Sequence, residues 1–534
     1  MTQRLQEWRW PLLIGLIGWL AVLATRSDPG ITSDEPFSVV YGIDLIERFR
    51  ERGREFFSPE SIAETFAQRS EHPPLGRWIF GWVHLLLNWS SESRDGFSIQ
   101  DILDSRVATA TVFGLMLVLL GHAVGSRYGK VAGAAAGVGL ILMPRVFADA
   151  HFAALDTFVC CTYMLSILSA AWMMESRWPW LCAPWAGVWL GCALLTKMHG
   201  LFLVPLVGLW AVACYRVRSV VALTLWCVSG VAIFFAGWPF LWGHLNRLLA
   251  YLGSSVAREA IYVLYLGREY RDTELPWHYP WVLFAVTVPV GLHVLGVCGV
   301  WHHLKNKRSD LRGWLYLAAV VFPLVVFSVP RVPVYDGVRL FLMVFPFWAV
   351  FVGQGAGWAY EWLTQRWQPR WAALALGAYF ACQGFGVWYY HPYQLSYYNL
   401  LVGGLRGADK LGFEVTYWGD SVTRDLIDRW SALAPKGSCA VLVPSLYTDQ
   451  GMLYLSAEAQ RNELKIRSSL RSPCPYLIVY NRRPYLGEAR AIVDNARLTP
   501  LVENVLDGVW LSRVYVRPPP EPAGTQNQSA SHMP

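Results

Sequence analysis

The 534-residue sequence predicts a polytopic α-helical membrane protein of about eleven spans with a small α/β domain at its C-terminal end. Three observations carry this reading. Hydrophobic residues make up 54% of the chain and charged residues only 16%, where soluble domains carry about 25% charged residues. Apolar runs of roughly twenty residues, the length of a helix that crosses the hydrocarbon core, recur through the first 390 positions. Beyond them the pattern changes to short β-rich runs separated by helical stretches, the mixture expected of a small α/β domain. This composition excludes intrinsic disorder for the bulk of the chain and a small disulfide scaffold. The net charge of +7 does not argue for a nucleic-acid partner, because basic residues in membrane proteins concentrate in cytoplasmic loops.

The first apolar run, 8–24, follows Arg4 and Arg9 and has no convincing small-x-small cleavage site, so it reads as an uncleaved first span. A long polar outer loop, 25–104, comes next. Further apolar segments lie near 105–125, 131–148, 157–174, 179–196, 199–215, 219–240, 281–301, 313–329, 339–360 and 371–390. With the N-terminus inside, the inner loops hold Arg127, Lys130, Arg177, Arg216, Arg218, Lys305, Lys307, Arg308, Arg312, Arg366 and Arg370. The short outer connections hold only Arg145, Lys197 and Arg331. That asymmetry satisfies the positive-inside rule in one orientation only, so the N-terminus is expected in the cytoplasm and everything after Tyr390 outside it.

The domains expected are a membrane region at 1–390, an extracytoplasmic α/β domain at 391–518 and a disordered tail at 519–534. Within the second, 420–433 has helical spacing, strands are expected at 439–443, 476–480 and 509–516, and helices at 449–461 and 487–496. Eight of the ten cysteines lie in or beside spans, as small core residues commonly do. Cys439 and Cys474 fall in the outer domain. An oxidising compartment favours a disulfide between them; two buried thiols are the other reading. No cysteine spacing suits zinc, and the histidines are scattered, so no metal site is expected from them.

Charged residues at the outer face of the membrane need a reason to be there. Asp34 and Glu35 follow the first span as an adjacent carboxylate pair. Such a pair can do general-base work or hold a divalent cation or a cationic side chain; it can also be a solvated loop with a helix cap at Ser33 or Asp34. His72 precedes Pro73 and Pro74, which fix the backbone ahead of the apolar stretch 78–87. Arg106 opens the second span, where it either reaches the interface or counters Asp34 or Glu35. Asp156 begins the fourth span, where the helix dipole favours an acid. Lys197 lies among apolar residues between two spans and needs an anionic partner, a phosphate or a carboxylate. Arg339 stands at the outer end of the tenth span. All seven map to one membrane face, under a topology derived without them. Carboxylates beside cations at that boundary suit chemistry in which a phosphate leaves.

At these residues the chain resembles the GT-C fold glycosyltransferases that use lipid-phosphate-linked sugars, the protein O-mannosyltransferases and bacterial aminoarabinose transferases above all. The resemblance rests on Asp34-Glu35, on His72-Pro73-Pro74-Leu75-Gly76, on Arg106, on Leu155-Asp156-Thr157, on Leu195-Thr196-Lys197 and on Gly337-Val338-Arg339, in that order. It implies inverting transfer, from a polyprenyl-phosphate sugar donor to a hydroxyl on a protein, lipid or glycan acceptor, at the outer face of the membrane. Asp34 would be the base, with Glu35 supporting it and Asp156 a second acid. His72 and Arg106 would support the carboxylates, and Lys197 and Arg339 would hold the donor phosphate. The run His391 to Asn399 and the small outer domain resemble a bacterial branch, which implies a bacterial inner membrane. A secondary transporter is the main competing reading, but transporters place polar groups at the membrane midplane on broken helices, whereas these charges gather at span ends. A non-enzymatic assembly protein of the cell envelope is the third.

Overall fold

The eleven apolar segments are all helical in the computed structural model, which describes residues 2–66, 72–88, 97–242, 246–256, 260–305, 310–445, 456–495 and 497–517. Five helical stretches are long and apolar enough to cross a membrane, or six if one sharply bent pair counts as a single span. Lys130–Ile141, Pro179–Leu194 and Leu311–Val326 are apolar but shorter. The sequence predicts a continuous span at 281–301. The structure breaks it into Tyr279–Thr287 and Val290–Lys305, which meet at 112°. Pro289 lies at the break and has no N–H to carry the helical ladder across it. Carbonyls freed there find a donor in Asn399, whose Nδ2 donates to Ala285 O and Val288 O at 2.7 Å each. Satisfaction of this kind permits irregular backbone at membrane depth.

The polar stretch 25–104 is largely helical among its described residues. It contains the helices Asp34–Arg52, Pro59–Phe66 and Leu75–Leu87. The first and third cross where glycines let the backbones touch: a Cβ on Gly81 would lie 2.1 Å from the carbonyl oxygen of Gly42. This crossing fixes the start of one helix, Asp34, relative to the segment that leads into the other, His72 to Pro74.

In the stretch 241–280 the strands β1 (Tyr262–Tyr265) and β2 (Arg268–Arg271) form an antiparallel hairpin that the sequence reading does not anticipate. The C-terminal part of the chain is built on a five-stranded sheet of β3 (Cys439–Val443), β4 (Lys465–Arg467), β5 (Tyr476–Tyr480), β6 (Val502–Leu506) and β7 (Val509–Val516). The strand order is β4-β3-β5-β7-β6. β3 runs parallel to β4 and β5, and β7 antiparallel to β5 and β6. Alternate residues feed two cores: Ala440, Leu442 and Ile478 pack with Trp430, while Val441, Val443, Leu477 and Val479 pack with Leu486. Strands stand at 439–443, 476–480 and 509–516, and β4 and β6 add to them. The helix expected at 420–433 is Arg424–Leu433, and that at 487–496 is Ala489–Val493. Of the helix expected at 449–461, Ala457–Arg461 is observed and 449–455 lies outside the described residues, as does the tail 519–534. Cys439 and Cys474 form a disulfide.

The two parts of the chain meet beside the first outer loop. Gly30 N–H donates to Asp420 O at 2.9 Å and Ser33 N–H to Trp418 O at 3.1 Å. The residues just before Asp34 are thereby stitched to the segment that leads into the sheet domain.

Candidate active site

Asp34, His72, Lys197 and Arg339 line one cavity of about 440 Å³, together with Asp336, Arg482, Tyr480 and Tyr485. Five separate segments of the sequence deliver these groups. Asp34 opens its helix in the first turn, after Ser33 as cap. Lys197 is extended, between the end of Pro179–Leu194 and the short turn Met198–Phe202. Asp336 and Arg339 come from a tight turn in which Asp336 has φ 54° and Gly337 φ 66°. Only glycine fits the second position without strain, and a Cβ there would also sit 2.5 Å from Arg145 Nη1.

The charges pair in an alternating chain. Lys197 Nζ donates to Asp156 Oδ1 at 2.6 Å, and Arg339 Nε donates to Asp156 Oδ2 at 3.1 Å. Arg339 Nη1 donates to Asp336 Oδ2 at 3.1 Å, and its Nη2 donates to Asp34 Oδ2. The guanidinium carbon of Arg339 lies 3.8 Å from the centre of the Trp418 ring, whose face favours a cation. Asp34 is the accessible acid of this cluster. Its side chain is 40% exposed, against 3% for Asp156 and 5% for Asp336.

Asp156 therefore lies beneath the cations, not at the cavity surface, and its carboxylate is taken up by Lys197 and Arg339. Glu35 departs further from the role of a supporting acid. It is fully buried, and its carboxylate accepts from Arg106 Nε at 2.6 Å, Arg106 Nη2 at 2.8 Å, Thr32 N–H at 2.8 Å and Ala153 N–H at 2.8 Å. Arg106 completes the knot by donating to the carbonyls of Arg26, Pro29 and Gly30. The pair fastens the stretch before Asp34 to the second apolar helix and does not line the cavity. Asp34 and Glu35 have separate cationic partners, so these residues do not fit a shared cation site. Among the described residues no group of three or more His, Cys, Asp or Glu is placed to hold a metal.

His72 lines the cavity, and its Nδ1 is buried without a hydrogen-bond partner among the described residues. Burial first, and then the charges of Arg77, Lys197 and Arg339, hold its pKa well below the ordinary imidazole range. It is a neutral group beside Lys197 and Arg339. Sequence reasoning missed Asp336, Arg482 and Trp418. Asp336 stands three residues before Arg339, a spacing that can pair two charges on one turn. Arg482 follows β5 in a stretch with no signal of its own.

Residues 69–251 match the family model for dolichyl-phosphate-mannose-protein mannosyltransferase, less than half of the chain. No curated protein sequence matches. Among solved structures the chain is similar to ArnT from Cupriavidus metallidurans bound to undecaprenyl phosphate, with a TM-score of 0.51 and 12% identity, covering 95% of this chain and 97% of that one. The apo state of the same protein gives the same TM-score and identity over 94% of this chain and 97% of that one. An Archaeoglobus fulgidus oligosaccharyltransferase tethered to an acceptor peptide is more distant, at a TM-score of 0.45 and 12% identity over 85% of this chain and 63% of that one. The ArnT likeness spans nearly the whole of both chains, and with the mannosyltransferase match across 69–251 it identifies the fold of this chain as that of the GT-C glycosyltransferases.

Proposed function

We propose that the chain transfers a hexosyl or pentosyl group from a polyprenyl-phosphate sugar to an acceptor hydroxyl, with inversion, at the extracytoplasmic face of a bacterial inner membrane. The observation that carries this reading is the cavity itself, where one accessible carboxylate, Asp34, shares a wall with Lys197 and Arg339. Bound undecaprenyl phosphate in the ArnT structure of the same fold supports the donor class. The acceptor is a protein, lipid or glycan.

In the reaction, Asp34 takes the proton of the acceptor hydroxyl as its oxygen bonds to the anomeric carbon. The bond from that carbon to the phosphate oxygen breaks on the opposite face, and polyprenyl phosphate departs with the electron pair. Lys197, from the membrane side of the cluster, meets the growing negative charge, which is where preorganised cations accelerate such a step most. Arg339 adds its charge to the same wall while holding Asp34, Asp156 and Asp336 in place. Neutral His72 lines the cavity without adding a competing charge.

The test is transfer by purified protein in detergent, with lipid-linked and nucleotide-linked donors of the same sugar. Asp34→Asn keeps the shape but cannot take the proton, and should lower turnover about 10²–10⁴-fold with the melting temperature near that of the native protein. Lys197→Ala should raise the KM for the lipid donor far more than that for the acceptor. Near-native turnover by Asp34→Asn, or efficient use of the nucleotide sugar, would overturn the reading.

A further inference from the structure

The sheet domain places a cation in the cavity that the mechanism above does not use. β5 ends at Tyr480, and the turn after it brings Arg482 and Tyr485 into the lining. Arg482 Nη2 donates to Asp336 Oδ1 at 2.7 Å, and its guanidinium carbon lies 4.7 Å from the centre of the Tyr485 ring. Its Nε is buried and meets no acceptor among the described residues. The other oxygen of Asp336 is taken by Arg339. Charges thus alternate across the cavity, Lys197–Asp156–Arg339–Asp336–Arg482, with Asp34 joined at Arg339.

Three cations and three acids leave this cluster neutral. A phosphodiester entering the cavity adds a negative charge and needs donors, and a guanidinium fork matches two phosphate oxygens better than an ammonium does. Two forks line the cavity. That of Arg339 already spends Nε, Nη1 and Nη2 on three different carboxylates. That of Arg482 meets one carboxylate and the Tyr480 hydroxyl, and its long stem can carry it off Asp336. We propose that Arg482 is a ligand of the donor phosphate, supplied by the sheet domain, and that Asp336 holds it in waiting until the donor arrives. This rests on the lipid-phosphate reading above, and it makes the sheet domain a working wall of the donor site. The lipid phosphate would take Arg482 from the outer side and Lys197 from the membrane side.

The test is equilibrium binding of a polyprenyl monophosphate to the full-length protein in detergent, with the uncharged polyprenol of equal chain length as reference. The native chain should prefer the phosphate. Arg482→Gln should weaken phosphate binding about ten- to a hundredfold, the worth of a charge-assisted hydrogen bond, and leave polyprenol binding unchanged; Arg482→Lys should fall between. Asp336→Asn removes the competing carboxylate and should tighten phosphate binding severalfold. A purely structural Arg482–Asp336 latch gives the opposite sign for Asp336→Asn, so that variant decides the matter even if Arg482→Gln fails to fold. Native preference retained by Arg482→Gln, or weaker binding by Asp336→Asn, overturns the role of Arg482 alone. No preference for phosphate over alcohol in the native chain overturns the donor reading as well.

Discussion

Asp34 and Glu35 are neighbours in sequence with opposite surroundings. Asp34 opens into a cavity with 40% of its side chain still exposed, whereas Glu35 is sealed against Arg106 and accepts five hydrogen bonds on its two oxygens. A buried pair of this kind is strongly destabilised when one partner is removed, because the other is left as an uncompensated charge, at about 3–5 kcal/mol. Glu35→Ala and Arg106→Ala should therefore lower the melting temperature and the yield of folded protein, whereas Asp34→Asn should remove activity without either effect. Thermal melts of the three variants in one detergent check this; a Glu35→Ala protein as stable as the native one would deny the pair its fastening role. The sequence put both acids in one loop and proposed Arg106 as a counter-charge, which Glu35 meets, but it could not sort the two acids. Their difference depends on the N–H of Ala153 and the carbonyls of Arg26, Pro29 and Gly30, contacts that exist only once distant segments are folded together.

At the scale of elements, legibility followed the strength of the apolar pattern. β3 and β5 are runs of consecutive apolar residues and stand where they were expected; β4 is three residues long with a lysine and an arginine at its ends, and β6 carries Glu503 and Asn504, so neither displays a strand pattern. The break at Pro289 was marked by the proline itself, but an apolar run continues across it, and the 112° bend depends on Asn399 arriving from more than a hundred residues away. The disulfide bears on the sheet directly. Cys439 begins β3 and Cys474 precedes β5, at a sequence separation of 35. Closing a loop of that length stabilises by roughly 3–4 kcal/mol in the chain-entropy model. Cys439→Ser with Cys474→Ser should therefore make the sheet domain markedly more sensitive to limited proteolysis, with cleavage sites concentrated in 430–517. Equal protease resistance with and without the bond would mean that the two apolar cores hold the sheet unaided.

At the scale of the molecule, membrane helices and sheet domain are joined through buried polar groups, and Glu414 is the one whose cost can be measured. It lies just before the segment stitched to the first outer loop and is buried with Arg482 of the sheet domain and Arg145 and Tyr279 of the membrane region nearby. Burial raises its pKa from the ordinary 4.5 to about 8, against the opposing pull of Arg482. The folded protein thus keeps this proton up to about pH 8, while the unfolded chain gives it up above 4.5. Below 4.5 both states hold the proton and the group has no effect on the balance. As pH rises from there the unfolded state gains by ionising and the folded state does not, so stability falls by up to about 1.4 kcal/mol per pH unit until the folded carboxyl titrates near 8. Glu414→Gln has no proton to lose. Its melting temperature should match that of the native protein most closely below pH 4.5, rise above it steadily through neutrality and hold a constant margin above pH 8. The difference between the two curves isolates this residue from Asp28, His151 and Asp420, which titrate alike in both proteins. A margin that does not change with pH would mean that Glu414 is ionised in the fold and paired with Arg482, and in that case Glu414→Gln would free the guanidinium and alter lipid-phosphate binding instead.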